Sequence, residues 1–362
     1  MFGKLFAKSR GSKLGDAVQK LDDRLRSTRG EIESVKEKVQ SIKAKLGTAS
    51  DKSSQILQQN EELRAENRLL AREMESLKML CGRMAVDRFA GKPPGTPFRA
   101  VEFKVFSQWG EDGILQHLIH HLPITRTEFV EFGVEDYREA STRFLLMNDN
   151  WRGLVMDGSE AHIQSIQGAY NHWCHDLTAR CAFISPENIN QLLEDAGFTG
   201  DIGIYSVDVD GMDYWIWKAT TAVSPIIVIS EFNGVFGSDI AVTVPPDAGF
   251  MRSKAHYSNL FYGASLSALE HLGREKGYSL VGINSAGNNA FFIRQDMLGA
   301  FPARTAKEVF VEARYREGRD PEGRLTLASP KERRETVKDL VVYNVRTGAT
   351  QPLSKAWAEA AS

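Results

Sequence analysis

Residues 128–136 read Glu128-Phe129-Val130-Glu131-Phe132-Gly133-Val134-Glu135-Asp136. An apolar run of this length, closed by a glycine and two acids, predicts a buried strand over Glu128 to Val134. Working outward, short runs of the same kind predict strands at Gly153 to Asp157, Arg180 to Ile184, Gly203 to Asp208, Ile226 to Glu231, Tyr278 to Ile283 and Ala290 to Arg294. Helical patterns fit between them, at Arg138 to Met147, Glu160 to Ala169, Glu187 to Ala196, Met212 to Thr220 and Ala264 to Lys276. This alternation is the signature of an α/β domain with a mainly parallel sheet covered on both faces. A tight turn over Asn284 to Asn289 joins the last two strands as an antiparallel hairpin.

In such sheets ligands lie across the carboxyl ends of the strands, and acids collect there. The first strand runs into Glu135-Asp136, the second ends Asp157-Gly158-Ser159, the fourth Asp208-Val209-Asp210-Gly211 and the fifth Glu231-Phe232-Asn233. Asp and Asn also cap helices, but four strand ends converging on carboxylates is more than capping requires.

On these residues the run from Phe106 to about Asp296 resembles the FkbM-like S-adenosylmethionine-dependent methyltransferases, enzymes that modify polysaccharides and small metabolites. Glu131-Phe132-Gly133 matches the first-strand motif, Asp157-Gly158-Ser159 the acidic end of strand two, and Asp208-Val209-Asp210-Gly211 the family's Asp-Val-Glu-Gly motif. Glu231 and Asn289-Ala290-Phe291-Phe292-Ile293-Arg294 fit as well. The resemblance implies a Rossmann-like seven-stranded methyltransferase fold, S-adenosylmethionine as cofactor, and O-methylation of a sugar or glycan. It departs from many methyltransferases in having one glycine where a Gly-x-Gly series is usual.

The residue types suit that chemistry. Gly133 would let backbone approach the cofactor, with Gly158 and Ser159 beside it, and Asp157 would accept its ribose hydroxyls. Glu131 and Asp208 would lie near its ammonium and sulfonium. Ser107 and Gln108, in the preceding segment 106–113, are polar groups of the kind that meet its carboxylate or amino group. A hydroxyl acceptor needs a base, and the candidates are Asp210, Glu231 and His256, the last in a long segment, Asn233 to Tyr262, expected to fold over the sheet. A second use for Asp208, Asp210, Asp213 and Glu231 would be to hold Mg²⁺ through oxygen ligands. His172, Cys174, His175 and Cys181 match no standard zinc spacing, so the site is expected to be metal-free.

Upstream, apolar residues recur at spacings of four and three. Val18, Leu25, Ile32, Val39 and Leu46 take heptad position a, while Leu14, Leu21, Val35 and Ile42 take d; the register runs on through Ile56, Leu63, Leu70, Leu77 and Met84 at d. This predicts a parallel coiled coil over 14–88, on the order of 100 Å long. Asn60 and Asn67 at a favour a parallel homodimer, whereas β-branched residues at both a and d make a trimer the runner-up.

A Gly/Pro-rich linker over 89–100 separates this stalk from a domain over 101–300. Residues 301–362 form a C-terminal extension, in which a charged helix is expected over Ala303 to Gly318, polar loop over Leu325 to Glu335 and an edge strand over Val337 to Arg346. Residues 1–13 form a basic tail with Phe2, Leu5 and Phe6 on one helical face, able to touch anionic lipid. The 362 residues carry a net charge of -2, which argues against nucleic-acid binding. Three cysteines build no disulfide framework, and with no apolar run of roughly 20 residues the expected location is the cytoplasm, at most against the inner face of the membrane. The alternative from another class is a non-catalytic Rossmann-like scaffold on a coiled coil. Whether Glu131 and Asp157 face an open cavity discriminates the two.

Overall fold

The computed structural model describes residues 3–361 apart from Tyr170 and Arg314, with side chains described from Leu14 onward. The expected apolar face of Phe2, Leu5 and Phe6 therefore lies outside the described residues. The chain divides into two compact units, residues 1–76 and 77–362.

The first unit is helix, the larger part of α1 (Gly3–Phe89). Its heptad positions are uncovered: Leu14 is 70% exposed, Val18 62% and Leu63 54%. The last turns of α1 belong to the second unit, where Met79 is buried with Val105, Phe106 and Phe144. Among the described residues no helix is long and apolar enough to cross a membrane.

The second unit is an α/β domain. Its strands are β1 (Glu128–Phe132), β2 (Arg152–Asp157), β3 (Leu177–Cys181), β4 (Gly200–Val207), β5 (Val223–Glu231), β6 (Val242–Thr243), β7 (Tyr278–Ile283), β8 (Asn289–Arg294), β9 (Val341–Asn344) and β10 (Thr350–Pro352). Seven form one sheet in the order β3-β2-β1-β4-β5-β8-β7. The first five run parallel and β8 is antiparallel to both β5 and β7. This is the seven-stranded Rossmann-like topology with an inverted final hairpin, the arrangement of the methyltransferase fold. The order reverses at β1 and β4, which is the switch point where open sheets bind ligands. A smaller sheet, β10-β9-β6, lies at the C-terminal extension.

Helices α2 (Glu111–His121), α3 (Arg143–Asp149), α4 (Glu160–Gln167), α5 (Ile189–Asp195), α6 (Asp213–Ala219), α7 (Arg252–Ala255) and α8 (Leu266–Glu275) connect the main strands, and α9 (Ala306–Val309), α10 (Pro330–Val337) and α11 (Leu353–Ala361) follow. Two apolar clusters fill the layers. Phe132, Tyr205, Trp217 and Phe292 belong to one, and Phe129, Val155, Ile204 and Phe291 to the other. Neighbours in sequence thus face opposite sides of the sheet, which is why these strands read as continuous apolar runs.

Several boundaries differ from expectation for local reasons. The third strand ends at Cys181 rather than Ile184, because Asn188 draws the next segment into a turn: its side chain accepts from the Ser185 amide at 2.8 Å and donates to the Phe183 carbonyl at 2.9 Å. The helix expected from Arg138 begins at Arg143, since Glu131 holds the amides of Ser141 and Thr142 at 2.8 and 3.0 Å. The helix expected over Ala303 to Gly318 is confined to α9, and Tyr315, Glu317 and Arg319 instead line the cavity at the sheet's carboxyl end. Where loop was expected, α10 starts with Pro330 behind a Ser329/Glu332 capping box, two signals that favour helix initiation.

Candidate active site

A cavity of about 770 Å³ opens at the carboxyl ends of β1, β2, β4 and β5, within the range of cofactor sites. Among the described residues ten carboxylates line it (Glu111, Glu131, Glu135, Glu139, Asp157, Asp208, Asp210, Glu231, Asp247 and Glu317) against two guanidinium groups, Arg252 and Arg319. That imbalance makes it a site for cations and hydroxyl donors rather than anions.

Gly133 shapes the floor. Its φ is +69°, and a Cβ there would lie 1.9 Å from the Asp208 carbonyl oxygen, so only glycine allows β1 and β4 to approach at this turn. Backbone strain gathers around the same rim, where Glu135 and Asp210 hold φ of 48° and 54° and both line the cavity.

Asp157, at the end of β2, clamps two loops. One carboxylate oxygen accepts the Glu135 amide at 2.9 Å; the other accepts the Ser159 amide at 2.8 Å and has His162 Nδ1 at 3.0 Å. A carboxylate has about four acceptor positions, so the oxygen facing Glu135 keeps one for a ligand hydroxyl. Next to it Gly158 has nothing within 4 Å of a notional Cβ. Phe183, Ile184 and Pro186 provide an apolar wall beyond β3.

Glu131 is buried at the centre of the sheet end. Its oxygens accept from the amides of Ser141 and Thr142 and from Thr142 Oγ1. Burial pushes its carboxyl above the usual range, against the pull of those bonds. Glu131 and Asp157 thus both face the cavity and both anchor the turn that follows.

Asp208, Asp213 and Glu231 form a mutually repelling set. Asp208, although its side chain is exposed to the cavity, is pushed up by desolvation at the crowded strand end and then by the charges of Asp213, Asp210 and Glu131; burial and Asp208 push Glu231 up. Asp213 is raised to about 6, chiefly by burial, and it does not line the cavity. Its carboxylate accepts the amides of Val209 and Gly211, both at 3.1 Å, which fixes the turn carrying Asp208 and Asp210. Among the described residues no group of three or more His, Cys, Asp or Glu is arranged to hold a metal ion.

Three expected site residues lie elsewhere. Ser107 is buried, its hydroxyl donating to Asp112 at 2.7 Å. Ser159 caps α4. His256 Nδ1 lies 2.7 Å from Ser258 Oγ and accepts the Ser258 amide, so it organises its own turn outside the cavity lining. Gln108, Glu131, Gly133, Asp157, Gly158, Asp208, Asp210 and Glu231 do line the cavity, with Asp210 at its mouth, its side chain 76% exposed.

The covers carry residues that no motif announced. Arg252 stacks on the Tyr262 ring, 3.6 Å from its centroid, pairs with Glu317 and lies 3.7 Å from Asp210. Trp109 and Tyr315 stack at 5.3 Å between ring centroids, and both line the cavity. Their positions are set by long-range packing, and their only sequence signal was membership of segments expected to fold over the sheet or beyond it.

No family model matches the chain, and no curated protein matches it. Solved structures do. The N-terminal domain of EvdMO1 with SAH bound is 11% identical, over 58% of this chain and 94% of that one, with a TM-score of 0.34. An S-adenosylmethionine-dependent methyltransferase from Clostridium acetobutylicum is 8% identical over 50% and 88%, TM-score 0.32. An O-methyltransferase from Bacillus cereus in complex with SAH is 13% identical over 61% and 89%, TM-score 0.33. At these values the functional reading rests on the cavity itself.

Proposed function

We propose that the second unit is an S-adenosylmethionine-dependent O-methyltransferase acting on a sugar or glycan, and that α1 pairs two chains through a parallel coiled coil. The observation that carries the enzyme reading is the cavity at the switch point, where Gly133 lets β1 and β4 close into a floor, Gly158 leaves open space and Asp157 retains an acceptor for a hydroxyl. The chemistry of the lining fits this cofactor: carboxylates for its ammonium and sulfonium, an apolar wall at Phe183, Ile184 and Pro186 for its base. When bound, it supplies a methyl carbon whose C–S electron pair returns to sulfur as the acceptor oxygen forms the new C–O bond.

The protein's own part is to bind, orient and manage the proton. Ten carboxylates disfavour a phosphate or carboxylate acceptor and accept hydroxyl donors readily. The stacked Trp109 and Tyr315 offer an aromatic face against which the C–H face of a sugar ring can pack. Glu231, which is buried, serves as proton acceptor; Asp208 and Asp210, both exposed, are less suited to that role.

The coiled-coil reading is supported by α1. Its a and d side chains are uncovered in the single chain, an apolar seam that a second copy in register would bury. Calorimetry on the full chain tests the enzyme reading: S-adenosylmethionine and S-adenosylhomocysteine are both expected to bind, and failure of both to bind would remove the cofactor and with it the activity.

A further inference from the structure

The turn between β7 and β8 carries a chain of side-chain amides whose orientation is fixed. Asn284 Oδ1 accepts the backbone amides of Gly287, Asn288 and Asn289 at 3.0, 3.1 and 3.2 Å, so the other end of that side chain is its NH₂ group. This group donates to Glu111 Oε1 and to Asn288 Oδ1, both at 2.7 Å. Asn288 therefore gives its oxygen to Asn284 and keeps its own Nδ2 free. Glu111 closes the network, accepting Asn289 Nδ2 at 2.9 Å and, on its second oxygen, the Trp109 amide at 2.9 Å. One buried carboxylate thus ties the β7 to β8 turn to the stacked pair Trp109 and Tyr315.

Two polar groups at this end of the sheet are left over. Glu231 and Asn289 are Cα partners at the ends of β5 and β8, and the Phe232 amide donates to the Asn288 carbonyl at 2.7 Å, so Glu231 and Asn288 lie one step apart along the same ladder. Both line the cavity, and both are buried, at 8% and 3% exposed. Among the described residues neither the Glu231 carboxylate nor Asn288 Nδ2 has a hydrogen-bond partner. Arg252 acts on Glu231 through its field while its guanidinium pairs with Glu317. Buried polar groups are nearly always bonded, and an open acceptor and an open donor on neighbouring strands of one cavity are complementary to a ligand that supplies both.

We propose that the ends of β5 and β8 form an acceptor subsite for a vicinal diol of a sugar ring: one hydroxyl donates to the Glu231 carboxylate, its neighbour accepts from Asn288 Nδ2, and the ring packs against Trp109 and Tyr315. This rests on the methyltransferase reading and narrows the acceptor from sugars in general to those with adjacent free hydroxyls. A hydroxyl both donates and accepts, so two adjacent ones satisfy the pair, whereas a lone hydroxyl satisfies half of it. The hydroxyl on Glu231 gives its proton to that carboxylate as its oxygen takes the methyl carbon and the C–S electron pair returns to sulfur. The product is a mono-ether whose second hydroxyl stays free. A catechol presents the same two groups, but the rest of its ring is apolar, and the cavity around Glu231 is lined with carboxylates and amides.

Saturation-transfer NMR titrations on the full chain, with S-adenosylhomocysteine present, measure binding of methyl α-mannopyranoside, methyl α-galactopyranoside and methyl α-glucopyranoside, of their monodeoxy analogues, and of catechol. At least one glycoside is expected to bind, and removing either hydroxyl of one adjacent pair should weaken it about tenfold, the size of one lost hydrogen bond. Asn288→Asp keeps the oxygen that holds Asn284 and removes the Nδ2 donor. In this variant the tenfold penalty for one of the two deoxy analogues should vanish, the non-additivity expected of a shared contact. If the variant instead weakens parent and deoxy sugars by the same factor, Asn288 is structural and the subsite is overturned. Deoxy analogues that bind wild type as well as their parents overturn it without any variant. Catechol binding more tightly than every glycoside overturns it too, as does binding of S-adenosylhomocysteine with no glycoside bound; these outcomes leave the cofactor assignment standing. Failure of S-adenosylhomocysteine itself to bind overturns the assignment beneath.

Discussion

A Cβ placed on Gly133 would lie 1.9 Å from the carbonyl oxygen of Asp208. The closeness of β1 and β4 at the cavity floor thus depends on one missing methyl group. Gly133→Ala must move the β4 turn and also hold alanine at φ +69°; together these are expected to cost about 2–5 kcal/mol. Urea denaturation measures it, with loss of S-adenosylhomocysteine binding beside it. Gly158→Ala is the control, because nothing lies within 4 Å of its Cβ, and its stability should stay within about 0.5 kcal/mol of wild type.

Asp157 joins the β1 and β2 turns through the amides of Glu135 and Ser159. Asparagine keeps one oxygen but sets an NH₂ group against the other amide. Asp157→Asn should therefore cost about 1–3 kcal/mol in stability and lower affinity for S-adenosylhomocysteine by about 10-fold to 100-fold, the equivalent of the same energy in binding. Unchanged affinity in calorimetry would remove Asp157 from the ribose site.

Asp213 gives a pH signature. Its carboxyl titrates at about 6 in the folded protein against an ordinary value of 3.8, with burial as the main cause. The folded state therefore holds the proton more tightly than the unfolded chain does, and this contribution to stability is present below about pH 4 and lost as pH rises to about 6. Asp213→Asn keeps an acceptor for one of the Val209 and Gly211 amides, which bond different oxygens, and cannot ionise, so its loss of one bond is the same at every pH. Relative to wild type it should gain stability between pH 4 and pH 7, measured by urea midpoints at both; a pH-independent difference would sink the assignment.

The main sheet was legible because strands buried on both faces, such as Phe129 to Phe132 and Ile226 to Ile229, carry their apolar character without a partner's help. The acids at the strand ends were legible for the same reason, since Asp157, Asp208 and Glu231 follow directly on those runs. His256, Ser107 and Ser159 misled because a polar side chain near a cavity and one satisfying a local turn look alike in sequence. Arg252, Trp109 and Tyr315 could not be read at all: what defines them is contact across 50 or more residues of chain, Tyr315 on Trp109 and Glu317 on Arg252. The helix at Pro330 had a readable start in Ser329-Pro330-Lys331-Glu332, outweighed there by its polar composition.

The stalk offers the remaining prediction. Asn60 and Asn67 fall at position a, with Leu63 and Leu70 at the neighbouring d positions, and these leucines are 54% and 64% exposed in the single chain. In a parallel dimer the asparagines would meet their own copies across the seam, which costs stability but penalises a shifted register and higher stoichiometry. Replacing both with leucine should raise the thermal midpoint of the helical signal and, in sedimentation equilibrium of the full chain, convert a uniform dimer into a mixture containing trimers or tetramers. Valine at both positions should raise the midpoint while keeping the dimer, because β-branched residues at a with leucine at d favour two strands. A wild-type chain that sediments as a monomer at micromolar concentration would refute the pairing, and a uniform trimer would show that the β-branched residues Ile32, Val35, Val39 and Ile42 outweigh the two asparagines.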